Sequence, residues 1–169
     1  MAHTGPRENF ETVAFREVEV LYRVAKRLAT NATDAEDLVG QTLLNAATHW
    51  DSFDGRHARS WLIQILRNEW LQMLRRRNVR QEVGYEAVGE PADEGFWRKV
   101  EVRLESELIV QTLDTLDEPY RMAITLCDVE GMDHKDAAEA LEVPQATLRT
   151  HLHRGRKLLQ AKLVSLSPG

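Results

Sequence analysis

No long apolar run occurs in this chain. Nothing approaches the roughly 18 consecutive apolar residues that a membrane-crossing helix needs, so no membrane insertion is expected. The opening MAHTGPRENFE lacks the apolar core of a secretory signal. Cysteine is almost missing: Cys127 stands alone, which excludes an internal disulfide framework and fits a reducing cytosol. With Ile124 and Leu126 nearby, Cys127 reads as a buried thiol acting as a small hydrophobe rather than as a redox sensor. Strand-like alternation never lasts long enough to compete with helical periodicity, and repeats and low-complexity tracts are absent. No P-loop, G-x-S-x-G or H-E-x-x-H motif is found. His151 and His153 sit two apart on a helix and diverge by about 200°, so they cannot share one metal. Asp34, Glu36 and Asp37 read as the solvated start of a helix, not as a cation site. The expectation is a protein without catalytic residues, metal or cofactor.

What is present is charge, unevenly placed. The 169 residues are 43% hydrophobic and 29% charged, with a net charge of −5. Residues 56–80 nevertheless hold seven basic side chains and one acid, and residues 144–169 hold five basic and none acidic. Residues 81–118 hold eleven acids against three basic side chains. Screening confines phosphate attraction to roughly 8–10 Å, so two local basic islands can bind nucleic acid despite the negative total.

Apolar spacing predicts an all-α protein of two small helical domains joined by a flexible acidic linker. Phe10, Val13, Ala14, Val18, Leu21, Val24, Ala25 and Leu28 predict a first amphipathic helix between Asn9 and Thr30. Thr33 is the expected cap of a second, with Glu36 completing a capping box and Leu38, Val39, Thr42, Leu43 and Ala46 inward. Asp54-Gly55 signals a turn. A third helix is expected from about Arg59 to Val79, with Trp61, Leu62, Ile65, Leu66, Met73 and Leu74 toward its buried side. Gly, Pro and acids from residue 81 onward read as linker. Helical pattern resumes from Phe96 to Leu116, then from Pro119 to about Val129, ended by Gly131. Asp133 can cap a short helix over residues 135–141, and Pro144 opens the last. The expected division is residues 1–80, a linker over 81–105, and residues 106–169. Each domain is small enough that its core is modest alone.

The last helix is the most informative. At about 100° per residue, Leu148, Leu152, Leu159 and Leu163 form one apolar stripe. Arg149, His153 and Arg156 line the adjoining face, with Thr150 and Lys157 beside them. A short helix with inward Ala137, Ala138 and Leu141, a tight turn at Glu142-Val143, and a longer basic helix make a helix-turn-helix pattern. Gln145, Thr147, Arg149, Thr150, His153 and Arg154 suit a major groove, and basic residues further along suit phosphates. A merely solvated helix would carry mixed charge supported by Glu/Lys pairs, which this face lacks. In the other island, Arg56, Arg59, Arg67, Arg75, Arg76, Arg77 and Arg80 interleave with Trp50, Phe53, Trp61 and Trp70. That mixture suits an unpaired strand, with rings stacking on bases. Trp61 and Trp70 taken singly read as core, and Arg75 to Arg77 can also answer a helix dipole.

"TDAEDLVGQTLLNAATHWDSFDG" followed by "SWLIQILRNEWLQMLRRR" resembles region 2 of the bacterial sigma-70 family. "LDTLDEPYRMAITLCDVEGMDHKDAAEALEVPQATLRTHLHRGRKLL" resembles region 4. The lack of a region 1 and of a long region 3 is similar to the extracytoplasmic-function (ECF) group. The resemblance covers about residues 10–80 and 106–163. It implies a cytoplasmic bacterial sigma factor that binds core RNA polymerase, through the β′ clamp helices and the β flap, and recognises promoter DNA. Asp37, Leu38, Gln41 and Asn45 would face the clamp helices. A loop of Ser52, Phe53, Asp54, Arg56, His57 and Arg59 would hold a base flipped from the melted −10 element. Trp61, Asn68, Arg75, Arg76 and Arg77 would support that loop or follow the strand. Gln145, Thr147, Arg149, Thr150, His153, Arg154, Arg156 and Lys157 would read the −35 duplex. The resemblance also implies a linker that passes near the active-site and RNA-exit channels, and an anti-sigma factor as a partner.

The sequence departs from the family pattern at four places. Gly40 and Gln41 stand where Gln-Glu is common, and a mid-helix Gly costs roughly 1 kcal/mol against Ala. Ala47 stands where Trp is common. Glu142 stands where Gly is common, which strains the turn if the backbone there takes a positive φ. Two other readings remain open on sequence. A sigma-like decoy for an anti-sigma factor would have no use for the two basic islands. A free-standing helix-turn-helix regulator would leave the first eighty residues unexplained.

Overall fold

The computed structural model describes residues 7–82 and 104–166. Among them are seven α-helices, and no strand. The chain divides into two compact units, one carrying the first three helices and the other the fourth, fifth and seventh with most of the sixth.

In the first unit, α1 is Phe10–Leu28, α2 is Ala32–Thr48 and α3 is Ala58–Glu82. Asn9 caps α1: its Oδ1 accepts from the Thr12 N–H at 2.9 Å, satisfying a donor that the first turn leaves free. Glu11 in the first turn and Lys26 and Arg27 in the last match the helix dipole. Val13, Val20, Leu21, Val24, Ala25 and Leu28 bury the inward stripe. The cap of α2 is Asn31 and not the expected Thr33. Asn31 keeps an extended backbone, its Oδ1 accepts from the Asp34 N–H at 2.8 Å, and Thr33 is drawn into the first turn. Asn caps at least as well as Thr, and here it lies at the earlier position. Leu38, Val39, Thr42 and Ala46 are buried as the periodicity predicts. The three helices pack pairwise. Leu62, Ile63, Leu66 and Trp70 supply the core from α3, with Leu38 and Leu21 facing that core from the other two.

In the second unit, α4 is Leu104–Leu113, α5 is Glu118–Ile124, α6 is His134–Ala140 and α7 is Gln145–Leu166. Pro119 lies in the first turn of α5, as expected. The helix does not continue in α form to Val129: Thr125–Val129 winds as a π turn, closed by the Glu130 N–H donating to the Thr125 carbonyl at 2.9 Å. Gly131, at φ +69°, then reverses the chain, a conformation open to glycine. Asp133 Oδ1 accepts from the Asp136 N–H at 2.7 Å, the predicted cap of α6. Glu142 has φ +56°, so the turn into α7 does hold a non-glycine residue in the left-handed region. Ala137 and Ala138 are buried from α6, and Leu148 and Leu152 from α7. Gly155 is buried as well. A Cβ there would lie 3.1 Å from Tyr120 Cβ and from Ile124 Cδ1, so α5 and α7 approach closely because this residue has no side chain.

Most of the expected linker, residues 81–105, lies outside the described residues, as does the expected helical start at Phe96. Gln81 and Glu82 still belong to α3, and Leu104 and Glu105 open α4.

Candidate nucleic-acid and polymerase interface

The outer face of α7 is exposed and carries basic side chains, one of them paired with an acid. Gln145, Arg149, Thr150, His153, Arg154, Arg156 and Lys157 are exposed, and Thr147 is half-buried. Arg149 Nη2 donates to Gln145 Oε1 at 3.3 Å, one turn away, so two side chains suited to base edges are already paired at the helix start. Thr150 Oγ donates to the Ala146 carbonyl at 3.0 Å, which leaves its lone pairs outward. The side chains of His153, Arg154 and Lys157 make no hydrogen bond to another described residue. Arg156 differs: its Nε and Nη2 donate to the two carboxylate oxygens of Asp128 at 2.9 and 2.6 Å. The pair holds the Arg156 guanidinium more firmly protonated than usual, chiefly through that hydrogen bond. Beneath the basic face, His151 meets the Tyr120 ring edge-on, with centroids 5.7 Å apart.

The loop between α2 and α3 is built on stacked rings. A short 3-10 turn, Trp50–Ser52, follows α2. Trp50 stacks on Phe53 with centroids 5.0 Å apart, and Phe53 stacks on Trp61 at 4.6 Å. Phe10 from α1 meets Trp50 edge-on at 5.6 Å. Phe53 is therefore 7% exposed and cannot itself stack on a base; it anchors the loop from below, a correction to its expected contact role. Trp61 remains half-buried. The loop above these rings turns through Gly55 at φ +84° and His57 at φ +51°. Asp54 Oδ1 accepts from the Arg56 N–H at 2.8 Å, and Ser52 Oγ donates to the His49 carbonyl at 2.8 Å. The side chains of Ser52, Asp54, Arg56 and His57 are all exposed on this loop.

Two of the arginines expected at the −10 element, Arg59 in the base-holding loop and Arg77 beyond it, are braced inside the unit. Arg59 Nε donates to Glu17 Oε2 at 2.7 Å, and Glu17 is 6% exposed on α1. Arg77 pairs with Asp34 at the start of α2. Both reach an acid more than forty residues earlier. Arg75, Arg76 and Asn68 are exposed on the outer side of α3.

The α2 surface splits the expected polymerase contacts. Asp37 and Gln41 are exposed one turn apart. Leu38 is 1% exposed and belongs to the core, a second correction: it lies on the inward stripe that its own spacing with Thr42 defines. Asn45 is half-buried and donates from Nδ2 to Glu69 Oε1 at 3.0 Å, tying α2 to α3. Gly40 is exposed, and a Cβ there would meet nothing within 4 Å, so no close approach requires this glycine.

Two residues of these surfaces were not singled out from sequence. Leu44 is 65% exposed on α2, one turn beyond Gln41; a large apolar residue off the inward stripe was the available signal. Arg7 precedes α1. Its Nη2 donates to the carbonyls of Trp50 and, at 2.5 Å, Phe53, and its guanidinium lies 5.1 Å from the Trp50 ring centre. No local pattern marks a partner more than forty residues away.

Residues 16–80 match the family described as Sigma-70 region 2, and residues 106–159 match the one described as Sigma-70, region 4. The two matches, in this order, define a chain of the sigma-70 class. Over 153 residues it is 33% identical to the ECF RNA polymerase sigma factor SigE of Mycolicibacterium smegmatis, covering 87% of this chain and 58% of that relative, less than two thirds of its length. It is also 33% identical over 153 residues to the ECF RNA polymerase sigma factor EcfG of Rhodopseudomonas palustris, covering 86% of this chain and 80% of that one. Among solved structures, the sigma factor RpoE from Bartonella quintana, in complex with the anti-sigma factor NepR, superposes with a TM-score of 0.76 at 28% identity, covering 94% of this chain and 98% of that one. The chain belongs to the ECF RNA polymerase sigma factors. Among the described residues no helix is long and apolar enough to cross a membrane.

Proposed function

We propose that this protein acts in the bacterial cytoplasm as a promoter-specificity factor: it binds core RNA polymerase, reads a −35 duplex through α7, and holds bases of a melted −10 element at the loop between α2 and α3. The proposed domains are residues 1–80 for polymerase and −10 binding and 106–169 for −35 binding, joined by residues 81–105. It performs no chemistry of its own and needs no cofactor or metal. The observation that carries this reading is the contrast between the two basic surfaces. One is a straight helix face with Gln145, Arg149, His153, Arg154 and Lys157 in water, suited to a groove. The other is a ring-backed loop bearing Ser52, Asp54, Arg56 and His57, suited to an unpaired base. Asp37 and Gln41, with Leu44 beside them, form the proposed polymerase contact; Leu38 and Asn45 support that helix from within. The β′ clamp helices are the proposed partner of that surface, and the β flap that of the second unit. An anti-sigma factor as a further partner is supported by the likeness to a sigma factor solved with one.

The test is transcription reconstituted from core polymerase, this protein and fragments of the genome that encodes it. New, protein-dependent start sites are expected. If start-site choice does not change while an anti-sigma factor is still bound, the decoy reading replaces this one.

A further inference from the structure

Asp128 stands on the π turn, outside the recognition helix, and closes both prongs of the Arg156 guanidinium at 2.9 and 2.6 Å. A phosphate oxygen pair would occupy the same fork. Arg156 lies eleven residues beyond Gln145, about 16 Å along the helix, where a groove-bound helix is flanked by phosphates and no longer faces base edges. Its neighbours Arg154 and Lys157 are exposed and free of such an acid. We propose that Asp128 withholds Arg156 from the DNA backbone, so that this one carboxylate lowers sequence-independent binding and leaves recognition to Arg149 and its neighbours. The proposal rests on α7 being the DNA-facing helix.

The pair is built to act as a restraint of this strength. The side chains are 54% and 35% exposed, so water and salt weaken the bond without abolishing it. A guanidinium already neutralised by a carboxylate displaces no counterion from DNA, and counterion release is the source of salt-dependent affinity. Sequence arithmetic counts Arg156 among the DNA-binding charges, whereas the geometry removes it.

A double-mutant cycle on the full-length protein tests this. The probe is a fluorescein-labelled mixed-sequence DNA duplex, followed by anisotropy over a series of salt concentrations. The proteins are wild type, Asp128→Asn, Arg156→Gln and the double variant, each checked for an unchanged thermal midpoint. Asp128→Asn is expected to bind roughly two- to five-fold tighter, the range of an exposed ion pair. Its slope of log affinity against log salt should steepen by about 0.9, one phosphate contact. Arg156→Gln should keep the wild-type slope, and the double variant should match Arg156→Gln. If Arg156→Gln alone flattens the slope by about 0.9, Arg156 already contacts phosphate and the proposal fails. It fails equally if Asp128→Asn tightens binding as much without Arg156 as with it, since that is simple loss of repulsion. Either result leaves the sigma-factor reading standing. Absence of salt-dependent binding in all four proteins overturns the proposal as well.

Discussion

In the first unit Arg59 and Arg77 reach back to acids on other helices, whereas in the second Arg154 and Lys157 stand in water. Both groups look alike as sequence: basic residues clustered in an acidic chain. The difference lies in what surrounds them. Region 2 is a three-helix bundle whose α1 buries a carboxylate, Glu17, and that carboxylate needs a cation. In region 4 the recognition helix turns a whole face outward and buries Leu148, Leu152 and Gly155 on the other. Charge density alone therefore counts Arg59, Arg77 and Arg156 as unpaired cations although each meets an acid, whereas Arg154 and Lys157 do stand exposed.

The largest expected effect that tests this contrast is on stability. Arg59→Ala strips the partner from a nearly buried acid and should cost about 3 kcal/mol, the lower end for breaking a buried pair. Arg16 stays 3.8 Å from the other Glu17 oxygen and softens the loss. Thermal or urea unfolding measures it, and adding Glu17→Gln should recover most of the loss. Unchanged unfolding would mean that Arg59 serves DNA and not the bundle. Next comes Arg149→Ala, which should lower −35 recognition by about 1–3 kcal/mol, roughly five- to 150-fold. Stability should stay within about 0.5 kcal/mol, and polymerase binding near normal; promoter binding by holoenzyme and pull-down of core polymerase read the two separately. Smaller still, Glu142→Gly relieves a left-handed residue and should raise the stability of the second unit by up to about 1 kcal/mol, the strain less the entropy that glycine adds to the unfolded chain. Calorimetry of the full chain would detect it as a shift of the region 4 transition alone. The smallest effect concerns Cys127. Burial, and then the Asp128 charge, push its thiol above the usual range, so the neutral form is favoured. Alkylation requires the thiolate, so at pH 8 it should run slower in the native protein than in urea. Equal rates would remove Cys127 from the half-buried position assigned to it.

Much of this was legible in the sequence because helices repeat at short range. The stripe from Leu148 to Leu163, the cap at Asp133 and the turn at Glu142 all follow from neighbours within a few residues. The choice of Asn31 over Thr33 as cap turned on which residue kept an extended backbone, which spacing alone does not decide. Its stripe turns Leu38 inward while the resemblance makes it a polymerase contact, and the residue is 1% exposed. What escaped were partners far apart along the chain: Arg59 with Glu17, Arg77 with Asp34, Arg7 with the carbonyls of Trp50 and Phe53. No period links residues more than forty positions apart. Gly155 escaped for a related reason, because its tight fit against Tyr120 and Ile124 exists only once α5 and α7 have packed.

The stacked rings beneath the loop have an optical consequence. Trp50 and Trp61 lie 5.9 Å apart at a 57° tilt, close enough for their transitions to couple. The proposed base-capturing segment thus contains its own chromophore pair, and near-ultraviolet circular dichroism can follow its rearrangement without any attached dye.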